Sequence, residues 1–155
     1  MSDSSLPSLL GDLQQTLDRM PPVAAMQIRV AGYQDHQLAL TAPLAANVND
    51  KGNAFGGSLT STLTLAGWAL VTLRLRLAGF EADVYVADSH VRYLAPVYGD
   101  LAAFAQAADE ADWDSFLATF AQRGKARIEV VARQPGEAGK PAAELSGRYV
   151  AFARR

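Results

Sequence analysis

Asn53-Ala-Phe-Gly-Gly-Ser-Leu59 opens a stretch that runs on to Leu77 without a proline or an acidic residue. Leu59, Leu63, Leu65, Ala66, Trp68, Ala69, Leu70, Val71 and Leu73 fall on every side of the helix that this composition predicts over 54–77. A helix that is apolar all round has to be buried all round. Asn53 suits the N-cap, where a short polar side chain can accept from a first-turn N–H. Arg74 and Arg76 oppose the negative end of the helix dipole, and Gly79 fits the left-handed residue that ends many helices.

Working outward towards the N-terminus, Leu6, Leu9, Leu10, Leu13 and Leu17 recur at helical spacing. Ser5 or Ser8 can cap that amphipathic helix, and Met20-Pro21-Pro22 stops it. Residues 23–30 and 37–40 read as two strands, with turn chemistry over 31–36 between them. A loop rich in Asn, Asp, Gly and Pro covers 43–53. Towards the C-terminus, 84–95 is rich in Val and Tyr, and 101–108 continues as a strand after the Gly99-Asp100 turn. Segment 112–123 reads either as a short helix with Phe116, Leu117 and Phe120 on one side or as a long loop. Residues 125–134 and 144–153 make a hairpin around Pro135 to Pro141.

One helix, a pair of strands, a long buried helix and then four strands is an α+β order, not an alternating α/β one. A helix buried on every side needs more than one surface to cover it. A strongly curved antiparallel sheet wrapped around it, with a second subunit closing the rest, meets that need. The expectation is a single domain over 1–155, with the helix of 1–20 packed on it.

Composition narrows the function classes. The 155 residues are half hydrophobic and 19% charged, as in a soluble globular protein. The net charge of −2 argues against a nucleic-acid binder. Cysteine is absent, which excludes disulfides, thiolate metal sites and a cysteine nucleophile. Two histidines, His36 and His90, suggest no metal site. The N-terminus lacks the basic and apolar regions of a secretory leader, and Arg74 and Arg76 interrupt the most apolar stretch before it could span a bilayer. The expected location is the cytoplasm.

Asn53-Ala-Phe-Gly-Gly-Ser-Leu59 resembles the helix-opening signature of hotdog-fold thioesterases, with Phe55 where those sequences usually carry histidine. Ala87-Asp-Ser-His-Val-Arg-Tyr-Leu-Ala-Pro-Val-Tyr-Gly-Asp100 resembles the strand, Pro-Val and Gly-Asp segment of the same superfamily. Together with Asn47-x-Asn49-x-Lys51 and Gly67-Trp68, these motifs are most similar to the YiiD C-terminal-type thioesterase family, from about residue 20 onward. The resemblance implies a hotdog fold and hydrolysis of an acyl-CoA or acyl-carrier-protein thioester. It further implies a homodimer or dimer of dimers. No resident cofactor is implied, because CoA enters only as part of the substrate.

Thioester hydrolysis needs a group that polarises the carbonyl, one that directs water, and a slot for the acyl-pantetheine chain. The N-terminus of the long helix offers unpaired N–H groups and a positive dipole end. Gly56 and Gly57, followed by Ser58, let a substrate approach the backbone closely. The bland alternative is that the two glycines let a neighbouring segment pack closely. Relatives place a carboxylate about two turns beyond the second glycine. Here that position is Thr64, the preferred polar candidate, and the helix holds no acid at all. Asn47 and Asn49 can bind the carbonyl or a water, or serve as turn residues; both roles stay open. Asp88, His90 and Arg92 alternate and share one face of their strand, so His90 is a candidate base. A polar patch on the sheet surface or at a subunit interface is the competing reading. Lys51 is a candidate contact for CoA phosphates, and Asn53 and Phe55 border the same entrance. The candidate set is therefore Asn49, Gly57, Thr64 and His90 for catalysis, with Asn47, Lys51, Asn53, Phe55, Gly56 and Ser58 for substrate. Two further functions stay open: a hotdog acyl-CoA or lipid binder without catalysis, and a hydratase or dehydratase.

Overall fold

The computed structural model describes residues 5–154; residues 1–4, part of the stretch read for a leader, lie outside it. Helix α1 (Leu6–Asp18) is capped by the Ser5 side chain, which accepts from Ser8 N, and it buries Leu9, Leu13 and Leu17. A strand was expected from residue 23. Instead a second helix, α2 (Pro21–Met26), occupies that stretch, with proline in its first turn. The two prolines preset the helical φ and need no donor there. Gln27, at φ 56°, ends the turn, and β1 (Arg29–Gln34) follows.

The expected six-residue turn shrinks to Asp35-His36, both at positive φ, joining β1 directly to β2 (Gln37–Ala42). Two consecutive left-handed residues match the right-handed twist of a hairpin. Gly32 stays within β1, at a shift in register.

Helix α3 (Gly56–Leu77) is the long buried helix. It begins later than the cap assigned to Asn53 requires. Phe55 holds the N-cap position and supplies no side-chain bond, while Asn53 is engaged with Asn49. The far end agrees with expectation. Gly79 takes φ 87°, its N–H reaches Arg76 O at 2.9 Å, and Phe80 N reaches Leu75 O at 2.9 Å. That pair of bonds satisfies two terminal carbonyls.

Strands β3 (Ala82–Tyr93), β4 (Leu101–Ala107), β5 (Lys125–Pro135) and β6 (Pro141–Ala153) complete one antiparallel sheet in the order β1-β2-β4-β5-β6-β3. Segment 112–123 resolves as a helix, α4 (Trp113–Arg123), capped by Asp112 and ended by Gly124 at φ 67°. Its Phe120 ring meets Phe80 edge-on at 5.2 Å, and Trp113 lies under Arg74. The helix therefore closes the C-terminal end of α3. The sheet curves around α3, which touches β2 through β6: the hotdog arrangement of an α+β fold. Within one chain the burial is incomplete, because Thr60, Ser61, Thr64, Leu65 and Trp68 form a half-exposed stripe along α3. Among the described residues, no helix is long and apolar enough to cross a membrane.

Candidate active site at the N-terminus of the central helix

The loop before α3 is pinned on two sides. Asn47 is buried, and its Nδ2 donates to Met26 O at 2.9 Å and Pro43 O at 2.8 Å. Its backbone carbonyl accepts from Phe55 N at 2.7 Å, and Ala54 N donates to Val97 O at 2.8 Å. Asn49 folds the loop on itself. Its Oδ1 accepts from Lys51 N at 2.8 Å and Asn53 N at 3.2 Å. Its Nδ2 donates to Asn53 Oδ1 at 2.7 Å. A side-chain amide offers two acceptor sites and two donors, so Asn49 has little left for a ligand. Lys51 points to solvent and pairs with Asp50 at 3.0 Å.

The first turn of α3 emerges from this loop with no acidic residue and no side-chain cap. Its first backbone bond runs from Leu59 N to Phe55 O at 3.0 Å. The leading N–H groups of a helix have no intrahelical acceptors, so the positive end of the dipole is uncompensated there. Ser58 is buried and its carbonyl accepts from Thr62 Oγ1 at 2.7 Å, whereas Gly57 is exposed.

Each glycine faces an aromatic ring. A β-carbon on Gly57 would run into the exposed Phe55 ring, and one on Gly56 would touch Tyr93 Cε1 at 3.5 Å. Tyr93 ends β3 on the face turned towards α3. Its hydroxyl is hydrogen-bonded to Thr60 Oγ1 and lies 3.5 Å from Gly56 O. Thr64 sits one turn beyond Thr60, half-buried on the same stripe, and its carbonyl accepts from Tyr149 Oη at 2.7 Å. Past Tyr93, Leu94 to Tyr98 line a groove of 570 Å³ with Pro135–Glu137 and Lys140–Ala142.

The structure thus gathers Phe55, Gly56, Gly57 and Ser58 at one mouth, with Asn47, Asn49 and Asn53 bracing it from behind, whereas Thr64 stands two turns further along α3. It does not bring His90 there. On β6, Ala143, Leu145, Gly147, Tyr149 and Ala151 are buried facing α3. Asp88, His90 and Arg92 stand opposite the intervening Arg148, Ser146 and Glu144, on the outer face of the sheet. His90 there borders a 420 Å³ groove with Asp88, Glu129 and Arg148. Hydrogen bonding to Arg148 holds the Asp88 carboxyl below the usual carboxylate range, so Asp88 serves Arg148 rather than His90. Sequence reasoning missed Tyr93 as a neighbour of the helix mouth. The available signal was strand alternation, which sets Ser89, Val91 and Tyr93 on the face opposite His90.

Residues 10–153 match the family described as "Putative thioesterase (yiiD_Cterm)". A protein of unknown function from Chlorobaculum tepidum TLS is 32% identical, covering 98% of this chain and 100% of its own, with a TM-score of 0.90. A protein from Shewanella oneidensis, described as a putative thioesterase, is 33% identical, with coverage of 94% and 99% and a TM-score of 0.83. A thioesterase from Haemophilus influenzae shares the fold at 16% identity, with coverage of 93% and 90% and a TM-score of 0.66.

Proposed function

The chain belongs to the YiiD C-terminal thioesterase family, and from that premise we propose that it hydrolyses an acyl thioester carried by CoA or an acyl carrier protein at the mouth of α3. The observation that carries the proposal is the uncapped first turn at the exposed Gly57. The thioester carbonyl rests against the N–H groups of Gly57 and Ser58, which meet the oxyanion as it forms. One such donor is worth roughly 2.7–4 kcal/mol in the transition state. Thr64, two turns along the exposed stripe, holds the attacking water. The groove beyond Tyr93 takes one arm of the substrate, and Lys51 is free to swing from Asp50 towards a CoA phosphate. The edge of β3 pairs with a second copy, which covers the half-exposed stripe of α3.

Thiol release measured over acyl-CoAs from acetyl to palmitoyl, and over matching acyl carrier proteins, tests this. Cleavage of at least one substrate is expected, with Gly57→Ala losing most of the rate. The lack of any carboxylate on α3 favours a second reading, a non-catalytic acyl-CoA binder. That reading prevails if no thioester is cleaved while an acyl-CoA still raises the melting temperature.

A further inference from the structure

Resting on that hydrolytic reading, we propose that the groove beyond Tyr93 receives the acyl chain and not the pantetheine arm, so that aliphatic fatty acyl thioesters of medium length and longer are the preferred substrates. The groove starts beside the mouth of α3. One wall, Leu94 to Tyr98, continues directly from Tyr93, whose ring lies against Gly56. Val97 in that wall accepts from Ala54 N at 2.8 Å, one residue before the N-cap Phe55. The other wall is the turn between β5 and β6, from Pro135 to Ala142. Leu94 N and Ala95 N both donate to Ala142 O, at 2.8 and 3.1 Å, which ties the two walls together.

The groove offers apolar surface and few hydrogen-bonding groups. Pro96, Pro135 and Pro141 have no N–H to give, while the N–H groups of Leu94 and Ala95 and the Val97 carbonyl are already paired. Its charged lining residues, Glu137 and Lys140, belong to the tip of the turn. Leu94 is nonetheless 46% exposed and Tyr98 70%, and contiguous exposed apolar surface of this kind marks ligand grooves. The volume of 570 Å³ falls within the ~300–1,000 Å³ of preformed small-molecule sites. The two arms of an acyl-CoA differ in what they need from such a groove. The amides of pantetheine would lose water there without gaining partners. An aliphatic chain has no polar group to leave unpaired, and each methylene it buries adds to binding.

Hydrolysis of straight-chain acyl-CoAs from acetyl to decanoyl checks this. In the wild-type protein kcat/KM should climb with chain length, by up to about fourfold per methylene. Ala95 is exposed and lines the groove, so Ala95→Trp fills it. That variant should lower the ratio of decanoyl to acetyl kcat/KM at least tenfold. Leu94→Ser, which removes apolar lining without adding bulk, should lower the same ratio by a smaller factor. The ratio separates loss of the groove from damage to the mouth or to folding, which would depress both substrates together. A wild-type profile that is flat or falls with chain length overturns the inference and leaves the hydrolase standing. So does a decanoyl-to-acetyl ratio that stays within twofold of wild type in both variants. A wild-type protein that cleaves no thioester overturns the hydrolytic reading, and this inference with it.

Discussion

At the residue scale, Tyr149 shows how one polar atom can fix a helix against a sheet. Its ring is fully buried beneath α3, and its hydroxyl donates to Thr64 O at 2.7 Å. Gly67 exists to admit it, since a β-carbon there would overlap the Tyr149 hydroxyl and ring. Gly67→Ala is therefore expected to destabilise by about 1–3 kcal/mol, the usual penalty for overpacking. Urea unfolding measures it, and an unchanged midpoint would refute the steric account. Burial also pushes the Tyr149 phenol up from its ordinary value near 10. The native state then keeps a proton that the unfolded chain releases. Stability present below pH 10 is consequently lost as pH rises above that value, at up to about 1.4 kcal/mol per pH unit. Tyr149→Phe cannot ionise, so its stability should fall less steeply over the same alkaline range. Parallel slopes for the two proteins would contradict this.

At the element scale, the loop from Ala42 to Phe55 decides where α3 begins, and Asn49 is its internal fastener. Asn49→Ala removes acceptors for two N–H groups and a donor to Asn53. The expected cost is about 1–3 kcal/mol, with a fall in any thioesterase rate that tracks the loosened first turn. A rate loss at full thermal stability would instead mark Asn49 as a direct contact to substrate. The buried body of α3 and its Gly79 terminus were legible in the sequence, because unbroken apolar composition and a left-handed glycine act locally. The start of α3 was not. Asn53 is chemically a good cap, but the loop spends it on Asn49, a tertiary choice that local propensity cannot reveal. The same holds for 23–30, where apolar residues read as a strand and the proline pair turned the first part into α2. Alternation placed His90 correctly relative to its neighbours, yet which face of β3 meets α3 depends on pairing with β6. The mouth itself was legible through Gly56 and Gly57, whereas Tyr93, 37 residues beyond Gly56, entered it only through the fold.

At the scale of the whole molecule, the two edges of the sheet are treated differently. The β1 edge is covered by α1. Gln14 lies beside it like a strand residue, its Oε1 accepting from Val30 N at 2.6 Å and its Nε2 donating to Ile28 O at 3.0 Å. Among the described residues, the β3 edge carries no such cover, although β3 is 12 residues long and shows Tyr85, Val86 and Tyr93 to solvent. Long bare edges invite pairing, and proteins that must stay monomeric block them with charge or a covering segment. The half-exposed stripe of Thr60, Thr64 and Trp68 on α3 runs along this same open side, so a copy paired edge to edge would cover both. The native protein should accordingly sediment at twice the 16.5 kDa chain mass. Val86 is the variant to make, because it lies within the bare stretch, directly opposite Tyr149 of β6. Val86→Lys places a charge on the pairing edge and is expected to return the particle to the single-chain mass at micromolar concentration. Circular dichroism should show retained helix and sheet content in that variant. If the stripe is part of the working site, thioester cleavage should fall with the dimer. A wild-type particle at the single-chain mass, or a Val86→Lys protein that keeps the doubled mass, would rule out pairing through β3.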